Sequence, residues 1–305
     1  MRKKEVFQTS IGGQALIEGI YMRSPGRGCL AVRKPNGEIF IETSEIKPLK
    51  ITKVPFVRGA FSVIDSLIKG YRSIMKSADI AMEETEEEKG KFDSWLESKL
   101  GDKLFGVIGT IGAVLGGVLS IVLFMIVPTL LTGLIDSFLP LGGWKAVVEG
   151  LLKLIIFILY LYLVTRINDI KRVFKYHGAE HKTIACYEAK EELTVENVRE
   201  YSRFHPRCGT SYLFLVLMVS IAMFSFVPFT NVFLRAGIKV LMLPVIMGIA
   251  YEVLRYAGKH SNVASRVLSY PGLLIQHLTA FEPDDNQIEV AIAAMKQVIP
   301  ESGEE

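Results

Sequence analysis

Long apolar runs in the middle of the chain are flanked by stretches in which charged and hydrophobic positions alternate. Four runs, about 106–127, 145–164, 210–230 and 237–255, approach the ~20 residues that carry an α-helix across ~30 Å of hydrocarbon. The first is uncharged and contains Gly112, Gly116 and Gly117, which let a second helix come close. The second carries Glu149 and Lys153 near its start, spaced as an i,i+4 ion pair. Ahead of these runs the pattern changes. Leu30–Lys34 and Glu38–Thr43 flank Pro35-Asn36-Gly37, and Asn-Gly between two short runs predicts a β-hairpin. From Val57 onward Ala60, Phe61, Ile64, Leu67, Ile68 and Tyr71 recur at helical spacing opposite Arg58, Asp65, Lys69 and Arg72. Such a basic amphipathic helix lies in the membrane interface or packs onto the protein's own polar part. Glu83–Glu88 reads as an acidic linker. In the tail, Pro271 is expected to break the chain, and Asp284 with Gln287 predicts a capped helix burying Ile288, Ala291, Ile292 and Met295.

The predicted fold is therefore a mainly α-helical polytopic membrane protein. A hairpin-containing cytoplasmic module (1–53) and an interfacial helix with its linker (54–105) precede a four-helix transmembrane domain (106–255) with a central loop (166–209), and a cytoplasmic segment (256–305) follows. Composition agrees, since 50% of residues are hydrophobic and those residues cluster in runs. Charge sets the expected orientation. The central loop holds Arg166, Lys171, Arg172, Lys175, Lys182, Lys190, Arg199, Arg203 and Arg207, whereas the other two connections are nearly uncharged. Lys- and Arg-rich loops stay in the cytoplasm, so the central loop and both termini are expected there, at the cell membrane. Met1-Arg2-Lys3-Lys4 is basic but leads into no apolar core, so no secretory signal is expected. Cys29, Cys186 and Cys208 are too few and scattered for a disulfide framework. The net charge of +3, with acids and bases interspersed, argues against a nucleic-acid partner. Four spans with few ionisable groups also argue against a transporter, although a homo-oligomer would supply further walls.

Candidate chemistry sits at one membrane surface. His177 and His181 are spaced i,i+4, so on a helix both imidazoles face one side and reach one metal ion, with Glu180 adjoining that face. The order His-x-x-Glu-His is the inverted zincin arrangement, in which two histidines hold the metal and the glutamate activates water. Gly178 within it weakens the helix by ~1 kcal/mol relative to alanine. Placed on a solvated helix, the same residues would be ordinary juxtamembrane polar groups. His205-Pro206-Arg207-Cys208-Gly209 precedes the third span and offers an imidazole and a thiolate, both good zinc ligands, on the same face. Glu252, near the cytoplasmic end of the fourth span, either joins them or pairs with Arg255. His260 and His277 have no spacing to recommend them.

Four segments also carry a family resemblance: Ile11–Gly19 with Met22-Arg23-Ser24-Pro25, Tyr176–Thr183, His205–Ser211, and Glu282-Pro283-Asp284 with Gln287–Ile292. In this order they resemble the YqhQ-like bacterial membrane proteins, a family of unknown function described as metal-dependent enzymes. Tyr21 stands where a second methionine is expected, and His277 where a basic residue is common. Two readings follow. In one the protein is a membrane-embedded metal-dependent hydrolase acting on a lipid-linked or membrane-peptide bond. There His177, His181 and one of His205, Cys208 or Glu252 hold a divalent metal, zinc by donor type, and Glu180 is the general base. In the other, the cluster is structural and the N-terminal part binds a protein partner in membrane assembly or regulation. Four closed ligands favour structure; three with an open position favour catalysis.

Overall fold

A computed structural model describes residues 7–46, 54–82, 104–226, 232–260 and 262–300. Four antiparallel strands, β1 (Gly12–Leu16), β2 (Gly19–Arg23), β3 (Arg27–Arg33) and β4 (Ile39–Glu45), form a meander in sequence order. The expected hairpin is β3–β4, with Arg33 opposite Ile39 and Gly37 at φ 88° in its turn, a left-handed value that glycine adopts without strain. The glycine-bracketed segment before it becomes the β1–β2 hairpin, with Leu16 opposite Gly19.

Side chains alternate across the sheet, and both faces are covered. Ile20, Met22, Cys29 and Ala31 pack with Tyr176, Ala179 and Ile184 of the site helix and with Ile288, Ala291 and Met295 of the last helix. Leu16, Leu30 and Val32 face the other way, onto Ile80. Full burial of side chains such as Ile20, Met22, Ile288 and Met295 contributes ~1.5–3 kcal/mol each. The sheet is thereby fixed between α1 (Val57–Ala81) and the pair made by the site helix and the last helix.

The apolar runs form the remaining body. Helix α2 (Leu104–Ile121) passes through a π-helical turn (Val122–Ile126) into α3 (Val127–Phe138), and Gly142–Trp144 leads into α4 (Lys145–Val164). The first apolar helix is thus longer than expected, reaching Phe138, with Pro128 directly after the π-helical turn. A break at Thr165–Ile167 separates α4 from α5 (Asn168–Glu188), so the site helix is a new element and not a continuation of the span. The short α6 (Val195–Arg199) follows, then α7 (Gly209–Phe224), α8 (Val232–Lys259), α9 (Val263–Thr279) and α10 (Asp285–Val298).

Among the described residues three helical stretches are long and apolar enough to cross a membrane: Gly109–Phe138, Gly142–Val164 and Gly237–Lys259. The expected third span is shorter than anticipated. Its helix has 16 residues, and at ~1.5 Å per residue that falls short of ~30 Å; the expected end of that span lies outside the described residues, as does the acidic linker. Glu149 and Lys153 pair as their spacing predicts, at 2.9 Å, and Lys239 of α8 joins them at 2.6 Å. Pro271 does not break the chain. It lies inside α9, whose buried Gly272 lies tight against Ser211 of α7. The C-terminal helix forms as expected, with a complete capping box between Asp284 and Gln287.

Candidate metal centre

Helix α5 is docked before its histidines are used. Arg172 donates two hydrogen bonds to Glu18 (2.5 and 2.6 Å), and the Tyr176 hydroxyl donates a third (3.3 Å). Glu18 occupies the β1–β2 turn at φ 49°, so the lone glutamate of the glycine-bracketed segment clamps the sheet to the site helix. One turn on, Gly178 meets the carbonyl of Phe281 so closely that any Cβ would collide with it. The glycine that weakens the helix by propensity is what lets the chain after α9 cross α5 at this point. There the Phe281 N–H donates to the Phe174 carbonyl at 2.9 Å.

This crossing delivers the partner of one imidazole, and the connection between α6 and α7 delivers the partner of the other. His177 Nδ1 lies 2.6 Å from the Thr279 carbonyl, and His181 Nδ1 lies 2.6 Å from the Arg203 carbonyl. A carbonyl only accepts, so each Nδ1 carries the proton and each Nε2 is left for another partner. For His177 that partner is Cys208 Sγ at 3.0 Å. The two rings are 4.3 Å apart, and one donor atom from each of His177, His181 and Cys208 lies within 4.8 Å of the others. These three side chains can hold a metal ion. The donor chemistry fits one as well, since histidine ligands commonly commit the far nitrogen to a backbone carbonyl, which fixes tautomer and ring direction. Imidazole and thiolate together suit zinc and related transition metals better than magnesium or calcium.

The charge state supports the same arrangement. Cys208 is the N-cap of α7, where its sulfur accepts from the Thr210 N–H at 3.4 Å. Burial raises its pKa, but the charges of His177 and His181 outweigh burial and hold the thiol well below its ordinary value. Burial likewise works against the His177 imidazolium, yet the Cys208 sulfur wins and pushes His177 up to about 10. Each group thus favours the charged form of the other, and a cation held by the sulfur would take the place of the proton between them. Cys29 and Cys186, buried without such neighbours, are pushed up to about 11 and are unreactive by comparison.

Glu180 lies beside the trio. Burial pushes its carboxyl pKa up, against the pull of His177 and His181. The Gly13 N–H donates to this carboxylate, while Oε2 is fully buried without a hydrogen-bond partner among the described residues. A Cβ on Gly13 would stand 3.0 Å from Glu180 Cδ, so β1 reaches the carboxylate because position 13 has no side chain. An orphaned carboxylate oxygen next to three converging donors costs several kcal/mol unless a ligand or water uses it.

The other sequence candidates have different surroundings. The His205 ring lies 5.6 Å from that of His181, tilted against it, but its Nε2 is turned toward Glu188 at 3.7 Å. Burial lowers its pKa despite that carboxylate. Its backbone is clamped by Gln276, which accepts from the His205 N–H and donates to the His205 carbonyl, both at 2.8 Å. Glu188 also accepts from the Thr9 N–H at 2.8 Å and from Arg207, so this network buttresses the loop. Glu252 is not brought to the cluster. Arg58 of α1, which neither sequence alternative named, holds it through two hydrogen bonds (2.7 and 2.5 Å), pinning α1 onto α8. Sequence reading placed Gly13 only within the resembling segment and missed Gln276 and the carbonyls of Arg203 and Thr279; a backbone carbonyl has no residue-type signature.

Comparison with known proteins agrees with the four-segment resemblance. A family model described as "Protein of unknown function (DUF1385)" matches residues 54–301. The chain is 35% identical over 298 residues to "Uncharacterized protein YqhQ" of Bacillus subtilis (strain 168), an alignment covering 94% of this chain and 92% of that protein. No solved structure matches the chain. With most of its length matched by the family model and by this relative, the chain belongs to the DUF1385 family of proteins of unknown function.

Proposed function

We propose that the protein is a multi-pass membrane protein of the bacterial cell membrane that works as a metal-dependent hydrolase at the cytoplasmic face. His177, His181 and Cys208 hold a divalent cation, zinc by donor type, and Glu180 is the general base. The observation that carries this reading is the pairing of three converging donors with a buried carboxylate oxygen that has no hydrogen-bond partner among the described residues. Three protein ligands leave one position open, the pattern of catalytic rather than structural zinc sites. When bound, the ion would supply Lewis acidity toward water and toward a carbonyl or phosphoryl oxygen. Thr279 and Arg203 orient the two imidazoles through their carbonyls, and Gly13 orients the carboxylate. Glu180, whose pKa burial raises, takes the proton of the attacking water and returns it to the leaving group. The basic central loop supports the cytoplasmic orientation, and adjacency to the apolar helices points to a lipid-linked substrate or a membrane peptide.

Metal analysis of the purified protein tests this directly. Wild type, Glu180→Gln and His205→Ala should retain stoichiometric metal, and His177→Ala and Cys208→Ala should lose it. Loss of metal in Glu180→Gln would make the carboxylate a fourth ligand and the site closed, which is the structural reading. A wild type that copurifies with no metal and gains no stability from added zinc would end the proposal.

A further inference from the structure

Helix α9 (Val263–Thr279) has its polarity reversed. Val263, Val267, Tyr270 and Leu274 are 73%, 65%, 61% and 50% exposed, and at ~100° per residue they fall within an arc of about 60°. Directly opposite, Ser265, Ser269, Gly272, Gln276 and Thr279 are buried. That buried face is well used. Gly272 lies tight against Ser211 of α7, Gln276 clamps the His205 backbone, and the Ser265 N–H and hydroxyl both donate to the Asn262 side chain at 2.9 Å. A helix that spends its polar face inward and presents a continuous apolar stripe outward is stable in water only if something apolar covers the stripe.

We propose that the occupant is the lipid bilayer, with α9 lying in the membrane interface along the base of α7. Three observations favour lipid over a protein partner. The helix begins four residues after Lys259, where the apolar α8 ends, and it packs against the first turn of α7, which puts the stripe level with the ends of the apolar helices. Exposed Arg266 lies at the edge of the stripe and Tyr270 within it, a cationic and aromatic border suited to the headgroup boundary. The two helices that α9 packs against also present exposed apolar side chains, such as Leu213 of α7 and Tyr256 of α8. The consequence reaches the metal centre, because α9 ends at Thr279, whose carbonyl holds His177. The inference does not depend on a metal being bound.

Tryptophan fluorescence of the full chain in phosphatidylcholine–phosphatidylglycerol vesicles decides it. Val267→Trp and Tyr270→Trp are made singly in a background with Trp95→Phe and Trp144→Phe, beside Glu196→Trp as an aqueous reference and Ile155→Trp as a mid-span reference. Both α9 reporters should be quenched by lipids brominated near the headgroup end of the acyl chain and should resist aqueous iodide. Ile155→Trp should respond to bromine near the methyl end. Quenching of the α9 reporters by iodide as strongly as Glu196→Trp would place the stripe in water. Protection from both quenchers would mean that a protein surface covers it. Either outcome overturns the proposal.

Discussion

Replacing Gly178 by alanine sets helix propensity against tertiary packing, and the two give opposite signs. Propensity alone favours alanine in the middle of a helix by ~1 kcal/mol. In the structure the new Cβ would run into the Phe281 carbonyl, which is backbone and cannot rotate aside. Forcing α5 and the chain after α9 apart is an overpacking change, worth ~1–3 kcal/mol. It would also stretch the Phe281 N–H to Phe174 carbonyl bond, a further ~1 kcal/mol. The expected net result is a loss of about 1–3 kcal/mol, together with weaker metal binding, because Thr279 lies two residues before the contact and orients His177. Thermal unfolding in detergent, with and without added zinc, measures both effects. Gly117→Ala in α2 is the control: nothing lies within 4 Å of its Cβ position, so it should be neutral or mildly stabilising. A Gly178→Ala protein as stable as wild type, or more so, would refute the argument that the close crossing organises the site.

Three further outcomes are expected. Hydrogen bonds from His205 and Arg207 outweigh burial and hold the Glu188 pKa below its ordinary value, so its contribution is present above pH ~4.5 and lost as pH falls through the depressed value. The difference in melting temperature between wild type and Glu188→Gln should therefore narrow on acidification below that point; a constant difference would count against the network. Glu149→Leu would strip the carboxylate from buried Lys153 and Lys239, a change worth ~3–5 kcal/mol, read as reduced thermal stability in detergent and contradicted by wild-type stability. Zinc at ~100 times its Kd should stabilise wild type by ~2.7 kcal/mol and leave His181→Ala unchanged, whereas equal stabilisation of both would place binding elsewhere.

What the sequence determined by itself was local. Turn chemistry at Asn36-Gly37, the Asp284–Gln287 cap and the Glu149–Lys153 spacing each act within a few residues, and each formed as its pattern predicts. The i,i+4 spacing of His177 and His181 likewise ensured that both imidazoles share a face once α5 exists. Tertiary structure decided the rest. Spacing left Cys208, His205 and Glu252 equivalent, and only packing separated them, by giving His205 to Glu188, Glu252 to Arg58, and Cys208 to the two imidazoles. Gly178 and Pro271 read locally as helix weaknesses, yet one is the crossing point of α5 and the other lies within an intact α9. In each case the deciding partner is a carbonyl, a glycine or a charge far away in the chain, and contacts of that kind leave no periodicity in the sequence.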